Sequence, residues 1–278
     1  MRFEAVPDSL VLCTFDDTTA CCTTPRQTCC SACPGATQNL KIMPSIHVAA
    51  DVGLTASPAS TSSPTLSVTR EDGEVLIVVD VQNDFCPGGA LEVPEGDAIL
   101  PLVNGLVNIY GAEHTIFTQD WHPGGHASFA SSHAGKNPYD TTELEYGTQT
   151  LWPDHCVQGS KGAQFHEQLV VPSNACVVRK GDNIKVDSYS AFTENDQKTL
   201  TGLADVIKSR GYTKVSVVGL AFDFCVRWTA EDAAACEGVT RVRVFRDATR
   251  SVGLPGTVES AEESLAAKNV VLETCASS

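Results

Sequence analysis

The pair Asp120-Trp121-His122-Pro123 and Trp152-Pro153-Asp154-His155 holds the residues with the most chemistry to offer. A carboxylate and an imidazole two residues apart, met by a second imidazole from a later loop, form a three-ligand metal site. Three protein ligands leave coordination positions open, as a catalytic metal requires. Imidazole and carboxylate suit zinc, iron or manganese, so the spacing of Asp120, His122 and His155 does not select the metal. Asp-x-His by itself is a weak signal. His126 stands close enough in sequence to act as a fourth ligand or to orient one. Three more reactive side chains close apolar runs or follow them: Asp80 ends Val75–Asp80, Lys180 follows Ala175–Arg179, and Cys225 follows Lys214–Leu220.

Cys225 comes after a short turn, Ala221-Phe222-Asp223-Phe224. Asp223 is a good N-cap, which sets Cys225 in the first turn of the next helix. A helix N-terminus favours the thiolate. It also presents free N–H groups that can hold an oxyanion. Taken alone, Cys225 reads better as a buried core cysteine. Asp80 is suited to take the thiol proton and return it to a leaving amine, though a lone Asp at a strand end often only closes a turn. The charge of Lys180 favours the ionised forms of both, unless it is a solvated turn residue. Phe85 and Trp152 are candidate walls for a flat aromatic substrate, or ordinary core. Together these residues suggest a cysteine hydrolase with a metal beside its nucleophile.

Positioning such a set falls to the elements around it. Val75–Asp80 is a continuous apolar run, the pattern of a strand covered on both faces. Further strands are expected at His114–Gln119, Ala175–Arg179, Lys214–Leu220, Arg241–Phe245 and Val270–Leu272. Helical spacing covers Asp97–Tyr110, Glu194–Arg210, Phe224–Glu237 and Thr257–Lys268, with Gly211 and Gly238 as stops. Asp120 to Pro172 reads as mostly loop, with one short helix near Gly162–Gln168. Strands alternating with helices imply an α/β fold: a doubly wound, mainly parallel six-stranded sheet with helices on both faces. Sites in such folds lie beyond the carboxyl ends of the strands. Asp80, Asp120, Lys180 and the Cys225 turn all fall there.

The chain has 278 residues and a formal net charge of −15. Residues 1–70 are nearly neutral, with four basic and five acidic residues, so the charge belongs to the remainder. An acidic surface argues against nucleic acid or an anionic membrane as a partner. No apolar run approaches the roughly 20 residues of a membrane span, and the start does not read as a signal peptide. Six of the twelve cysteines lie within the first 33 residues. The pair Cys30 and Cys33 invites a metal or redox reading, but disorder accounts better for this stretch. Residues 54–68 read as a flexible linker. Residues 1–70 are therefore expected to be a disordered extension and linker, and 71–278 the folded domain. Scattered cysteines without a secretion signal indicate the cytoplasm, and the ending Cys275-Ala276-Ser277-Ser278 is not a peroxisomal address.

Five separated motifs, VVDVQNDFCPGGAL, TQDWHPGGHASF, LWPDHCVQGS, VVRKGDN with DSYSAF, and VVGLAFDFCVRWTAEDA, occur in one order. In that order they resemble the nicotinamidases (pyrazinamidases) of the isochorismatase-like hydrolase superfamily. The resemblance runs from about Val75 to Thr274. It implies an Asp80–Lys180–Cys225 triad and a divalent metal on Asp120, His122 and His155. Zinc is the first choice, with iron or manganese as alternatives; in some members a histidine matching His126 also binds. It further implies a cis peptide at Leu220–Ala221 that aims the N–H groups of Ala221 and Cys225 at an oxyanion, and a sheet order 3-2-1-4-5-6. The implied reaction is hydrolysis of nicotinamide, a small-molecule partner, to nicotinate and ammonia through a thioester. The ring would lie between Phe85 and Trp152 with its nitrogen on the metal. Another amidase or carbamoyl hydrolase of the superfamily, or an inactive binding protein of the same fold, is the alternative. A homo-oligomer is left open. Against compact bacterial members, Ile184–Asp187 lengthens the loop after Lys180.

Overall fold

The computed structural model describes residues 65–277 and a two-residue strand, β1 (Val11–Leu12). Cys30 and Cys33 lie outside the described residues. The central strand, β2 (Glu74–Val79), is buried along its whole length. Its alternation divides two cores. Leu76 and Val78 face one, shared with Val103, Leu106 and Val107 of α1 (Leu100–Tyr110). Val75, Ile77 and Val79 face the other. That second core is covered by α2 (Leu203–Ser209), α3 (Arg227–Ala235) and α4 (Thr257–Ala267). A strand with apolar layers on both sides has no polar face to alternate with, so its sequence reads as an unbroken apolar run.

The remaining strands of the main sheet are β3 (Thr115–Asp120), β6 (Cys176–Lys180), β7 (Lys214–Leu220), β8 (Arg241–Arg250) and β9 (Val271–Glu273). Their spatial order is β1-β6-β3-β2-β7-β8-β9. The six strands from β2 onward are all parallel, and β1 pairs antiparallel with β6 at the edge. Numbering those six along the chain gives 3-2-1-4-5-6, as the resemblance implies. The chain moves outward from β2 to β3 and β6, then returns to β7 on the other side of β2. That reversal opens a crevice between the ends of β2 and β7. Residues ahead of β2 join the fold: Ser67 N–H donates to Cys275 O, and Ser277 N–H donates to Thr65 O. Among the described residues no helix is long and apolar enough to cross a membrane.

Several elements differ from the sequence reading. The helix expected from Glu194 shortens to α2. Asp196 draws in the N–H groups of Lys198 and Thr199, Thr193 bridges Leu200, and Gly202 has φ 94°, so the chain enters the helix only at Leu203. Gly162–Gln168 forms no helix because its backbone pairs with the loop after β2, through Asn83 N–H to Gln164 O and His166 N–H to Val81 O. The stretch taken as loop contains a hairpin, β4 (Thr141–Leu144) with β5 (Gly147–Thr150). The helix expected at Phe224 begins earlier, as a π-helical turn over Phe222–Val226. Asp223 does not cap it. Its carboxylate instead accepts from Val252 N–H, Gly253 N–H and the Thr257 hydroxyl, tying the turn to the segment after β8.

Gly219 is where β7 passes closest to β2. Its φ is 113°, and a Cβ there would stand 2.1 Å from the Val79 carbonyl oxygen. Both facts exclude a side chain. Gly219→Ala is expected to lower stability by at least about 2 kcal/mol in urea unfolding, because a backbone atom cannot move aside. An unchanged midpoint would mean that the two strands part easily here.

Candidate active site

Lys180 ends β6 opposite Asp120, which ends β3; the two are register partners. Its amine lies 2.9 Å from Asp80 Oδ2, 2.5 Å from Asp120 Oδ1, and 3.4 Å from Cys225 Sγ. It also donates to the Ser188 carbonyl at 2.8 Å. A carboxylate oxygen from each Asp and the Cys225 sulfur all lie within 4.8 Å of one another. Asp80 has φ 48°, so the chain turns sharply after β2. Thr118 fixes the result: its hydroxyl donates to Asp80 Oδ1 at 2.6 Å and accepts from Asp80 N–H. The structure thus brings together three side chains far apart in sequence.

Burial governs their charges. It disfavours the ammonium of Lys180, but Asp120, Asp80 and Cys225 outweigh it and raise its pKa well above the usual lysine range. Burial likewise opposes ionisation of Asp120, yet Lys180 and His122 hold its carboxyl well below the ordinary range. Asp80 goes the other way, raised by burial with Asp120 adding and Lys180 opposing. Burial also pushes the Cys225 thiol well above its usual value, against the pull of Lys180. The expectation of a thiol already lowered by a helix N-terminus is therefore corrected. Cys225 sits inside a buried π-turn ahead of α3, where desolvation dominates.

The sulfur opens on a narrow cleft with a cavity volume of about 30 Å³. Phe85 and Trp152 both line it, as do Tyr189, Phe224, Asp187 and Val252. The Trp152 and Phe224 rings meet edge to face at 4.9 Å. Ala221 also lines the cleft, and the Leu220–Ala221 peptide is cis. The N–H groups of Phe224 and Val226 both donate to Ala221 O, which curls the turn around the sulfur.

Asp120 and His155 line the cleft, and Asp120 Oδ2 lies 3.8 Å from His155 Nε2 and 3.7 Å from Nε2 of the buried His122. The chemistry of this donor set fits a divalent cation. His122 Nδ1 donates to Gly181 O, and His155 Nδ1 to Pro153 O, both at 2.8 Å. In the neutral imidazoles that a bound cation requires, each Nε2 carries a lone pair, and both are near the same carboxylate oxygen. His122 Nε2 is buried without a hydrogen-bond partner. Such an atom is costly unless something positive meets it. His126 differs. Its Nδ1 accepts from Ser128 N–H, so its Nε2 carries the proton and donates to Asn183 O. Burial and the neighbouring His122 push it down to about 4. With both nitrogens engaged, His126 stacks on His122 at 4.4 Å and braces it.

Sequence reasoning missed four contributors: Thr118, Asp187, Tyr189 and Phe224. Phe224 precedes Cys225 directly, and its aromatic type was a usable signal. Thr118 was not legible, since its role depends on the register between β2 and β3.

Comparison with known proteins follows the same lines. The family profile described as Isochorismatase domain matches residues 74–276. The chain is 47% identical over 205 residues to the nicotinamidase of Acinetobacter baylyi, covering 74% of this chain and 94% of that protein. It is similar in structure to an Acinetobacter baumanii nicotinamidase pyrazinamidase, with TM-score 0.71 and 45% identity over 74% of this chain and 98% of that one. The pyrazinamidase of Pyrococcus horikoshii, solved in complex with zinc, matches at TM-score 0.60 and 34% identity, over 73% and 99% of the two chains.

Gly181 has φ 70°, and a Cβ there would meet the His122 ring at 2.4 Å. Gly181→Ala is expected to displace His122 and weaken binding of a divalent ion by about tenfold or more, the range seen when a ligand's support is removed. Chelator competition measures this directly. Wild-type affinity in the variant would show that His122 does not hold the ion.

Proposed function

Because the chain belongs to the isochorismatase domain family, we propose that Asp80, Lys180 and Cys225 are its catalytic residues and that Asp120, His122 and His155 hold its metal. The protein is an amidase that hydrolyses nicotinamide to nicotinate and ammonia. The observation that carries this assignment of roles is the single buried amine of Lys180, which touches Asp80, Asp120 and Cys225 at one end of the cleft.

The ring of the substrate enters between Phe85 and Trp152, with its carboxamide toward Cys225. Asp80, raised by burial, is matched to accept the thiol proton and later to release it. Lys180 stabilises the thiolate as it forms. The sulfur attacks the carbonyl carbon, and the oxyanion is met by the N–H groups of Ala221 and Cys225. One such donor is worth roughly 3 kcal/mol in the transition state. Asp80 then protonates the departing nitrogen and ammonia leaves. A water deprotonated by Asp80 attacks the thioester, nicotinate is released, and the thiol is restored. A divalent ion on Asp120, His122 and His155 supplies a Lewis acid that accepts a heteroaromatic lone pair when bound. We assign zinc to this site, supported by the zinc complex of the Pyrococcus horikoshii relative and by a donor set that iron or manganese would also accept.

The assignment extends to the rest of the chain. The hydrolase domain runs over 71–278 with residues 65–70 packed on it, and the rest of 1–70 is an extension outside the chemistry. The enzyme works in the cytoplasm as an acidic protein without nucleic-acid partners. The free cysteines Cys86, Cys156, Cys176, Cys225, Cys236 and Cys275 suit a reducing compartment.

Cys225→Ala is expected to reduce ammonia release from nicotinamide by about 10⁴-fold or more while leaving thermal unfolding near wild type. Chelation and His122→Ala should each suppress turnover more than they suppress folding. A panel of other amides run in parallel separates this reading from a different amidase or a carbamoyl hydrolase. Undiminished turnover by the Cys225 variant would remove the thiol from the mechanism.

A further inference from the structure

Gln149 in β5 is only 1% exposed, yet it does not line the cleft. It stands behind two residues that do. Its Nε2 lies 2.7 Å from Asp187 Oδ2, 3.0 Å from the Tyr189 hydroxyl and 2.7 Å from Thr150 O. Its Oε1 accepts from the Tyr146 hydroxyl at 3.0 Å and from Asn195 Nδ2 at 3.3 Å. One buried amide therefore joins the β4–β5 hairpin to the loop that follows Lys180. Asp187 and Tyr189 are held further by the two residues that Gln149 Oε1 binds: Asp187 N–H donates to the Tyr146 hydroxyl and Tyr189 N–H to Asn195 Oδ1, while the Tyr189 ring packs on Trp152, Phe224 and Trp228. Tyr189 OH also accepts from Trp152 Nε1, and Asp187 Oδ1 from Ser188 N–H. Both sit on irregular backbone, where side-chain bonds must supply the rigidity that a strand would otherwise give.

We propose that Gln149 is a positioning residue for the substrate pocket: it holds the Asp187 and Tyr189 wall at the spacing a planar aromatic amide requires. The two halves of its amide do different work. The oxygen fixes Tyr146 and Asn195, which in turn accept from the Asp187 and Tyr189 N–H groups and so tie the hairpin to the wall's backbone. The nitrogen sets the wall through Asp187 and Tyr189. A methionine at 149 keeps the length and removes both halves. A glutamate keeps the acceptor and removes the donor, placing a second carboxylate against Asp187.

The test uses Gln149→Met and Gln149→Glu in the full-length metal-loaded protein, with two readouts. The kinetic one rests on the amidase reading. In both variants KM for nicotinamide is expected to rise about tenfold, the loss typical of a broken buried hydrogen bond, with kcat within about threefold of wild type. The second readout is amide hydrogen exchange, which needs no turnover. Gln149→Met should exchange faster over both 146–150 and 187–189, and Gln149→Glu over 187–189 alone. A wild-type KM in the Glu variant would show that only hairpin anchoring matters, and the proposal would fail. Unchanged exchange at 187–189 in either variant would overturn it too, as would a fall in kcat with KM untouched. If wild-type protein does not turn over nicotinamide, the substrate assignment fails, and the exchange readout still decides the clamp.

Discussion

A single buried ammonium organises this molecule. Lys180 has no contact with solvent, and its partners are two carboxylates, a carbonyl and a sulfur. Taking such a charge out of water costs several kcal/mol, and only close opposite charge offsets it. With Asp120 ionised beside it, Lys180 supports one more negative charge nearby, and Asp80 and Cys225 both stand in position to carry it. Each alone is disfavoured by burial. Lys180 faces both, so the position of a proton on one bears on the charge of the other. A proton passing from sulfur to carboxylate leaves the total charge of the pair unchanged. It demands little rearrangement of the surroundings, which is the condition for rapid proton transfer in a dry site. A thiol that is unactivated at rest is thus compatible with a reactive one in the complex, and it is less exposed to oxidation meanwhile.

That arrangement is possible because of where the sheet reverses. Asp80 leaves β2 at the sheet's centre, and Cys225 follows β7 beside it. Asp120 and Lys180 end the next two strands in register. Three of the four reactive groups are then placed at strand ends, and only Cys225 depends on a turn. The turn is held from outside by Asp223, whose carboxylate binds the segment after β8. From inside, its carbonyl at Ala221 gathers two N–H groups. Precision at the sulfur comes from this double restraint, in the sense that supporting residues lock the reactive one.

Much of this was legible in the sequence because it rests on local pattern. The unbroken apolar run of β2 declares a strand covered on both faces, and the strand–helix alternation declares the parallel sheet. Asp80, Asp120 and Lys180 lie at strand ends, where an α/β fold collects its site, and Cys225 follows the next strand. What was not legible depends on pairings across long separations. Thr118 matters only through the β2–β3 register. The helix expected at Glu194 fails because Asp196, a turn former, competes for the backbone first. The short helix near Gly162 fails because Phe165 and its neighbours bridge the loop after β2. Asp223 has the right type for an N-cap, but a tertiary demand for its carboxylate overrides the local preference. In each case the local signal was real and a longer-range partner outcompeted it.

The same logic explains the two histidines that differ in duty. The His122 and His126 rings lie 4.4 Å apart, tilted by 36°, and both are buried, so neither type nor burial distinguishes them. The backbone decides. Gly181 O takes the Nδ1 proton of His122 and turns its Nε2 lone pair toward Asp120. Ser128 N–H instead donates to Nδ1 of His126 and sends its proton to Asn183 O. One tautomer leaves a nitrogen free to meet a cation, and the other engages both ring nitrogens with the protein. Gly181 can approach the first ring so closely only because it has no side chain. It follows Lys180 directly, so the residue that binds the carboxylates and the one that orients His122 are neighbours in the chain. Any shift at the end of β6 therefore disturbs the charge balance and the Asp120–His122–His155 cluster together.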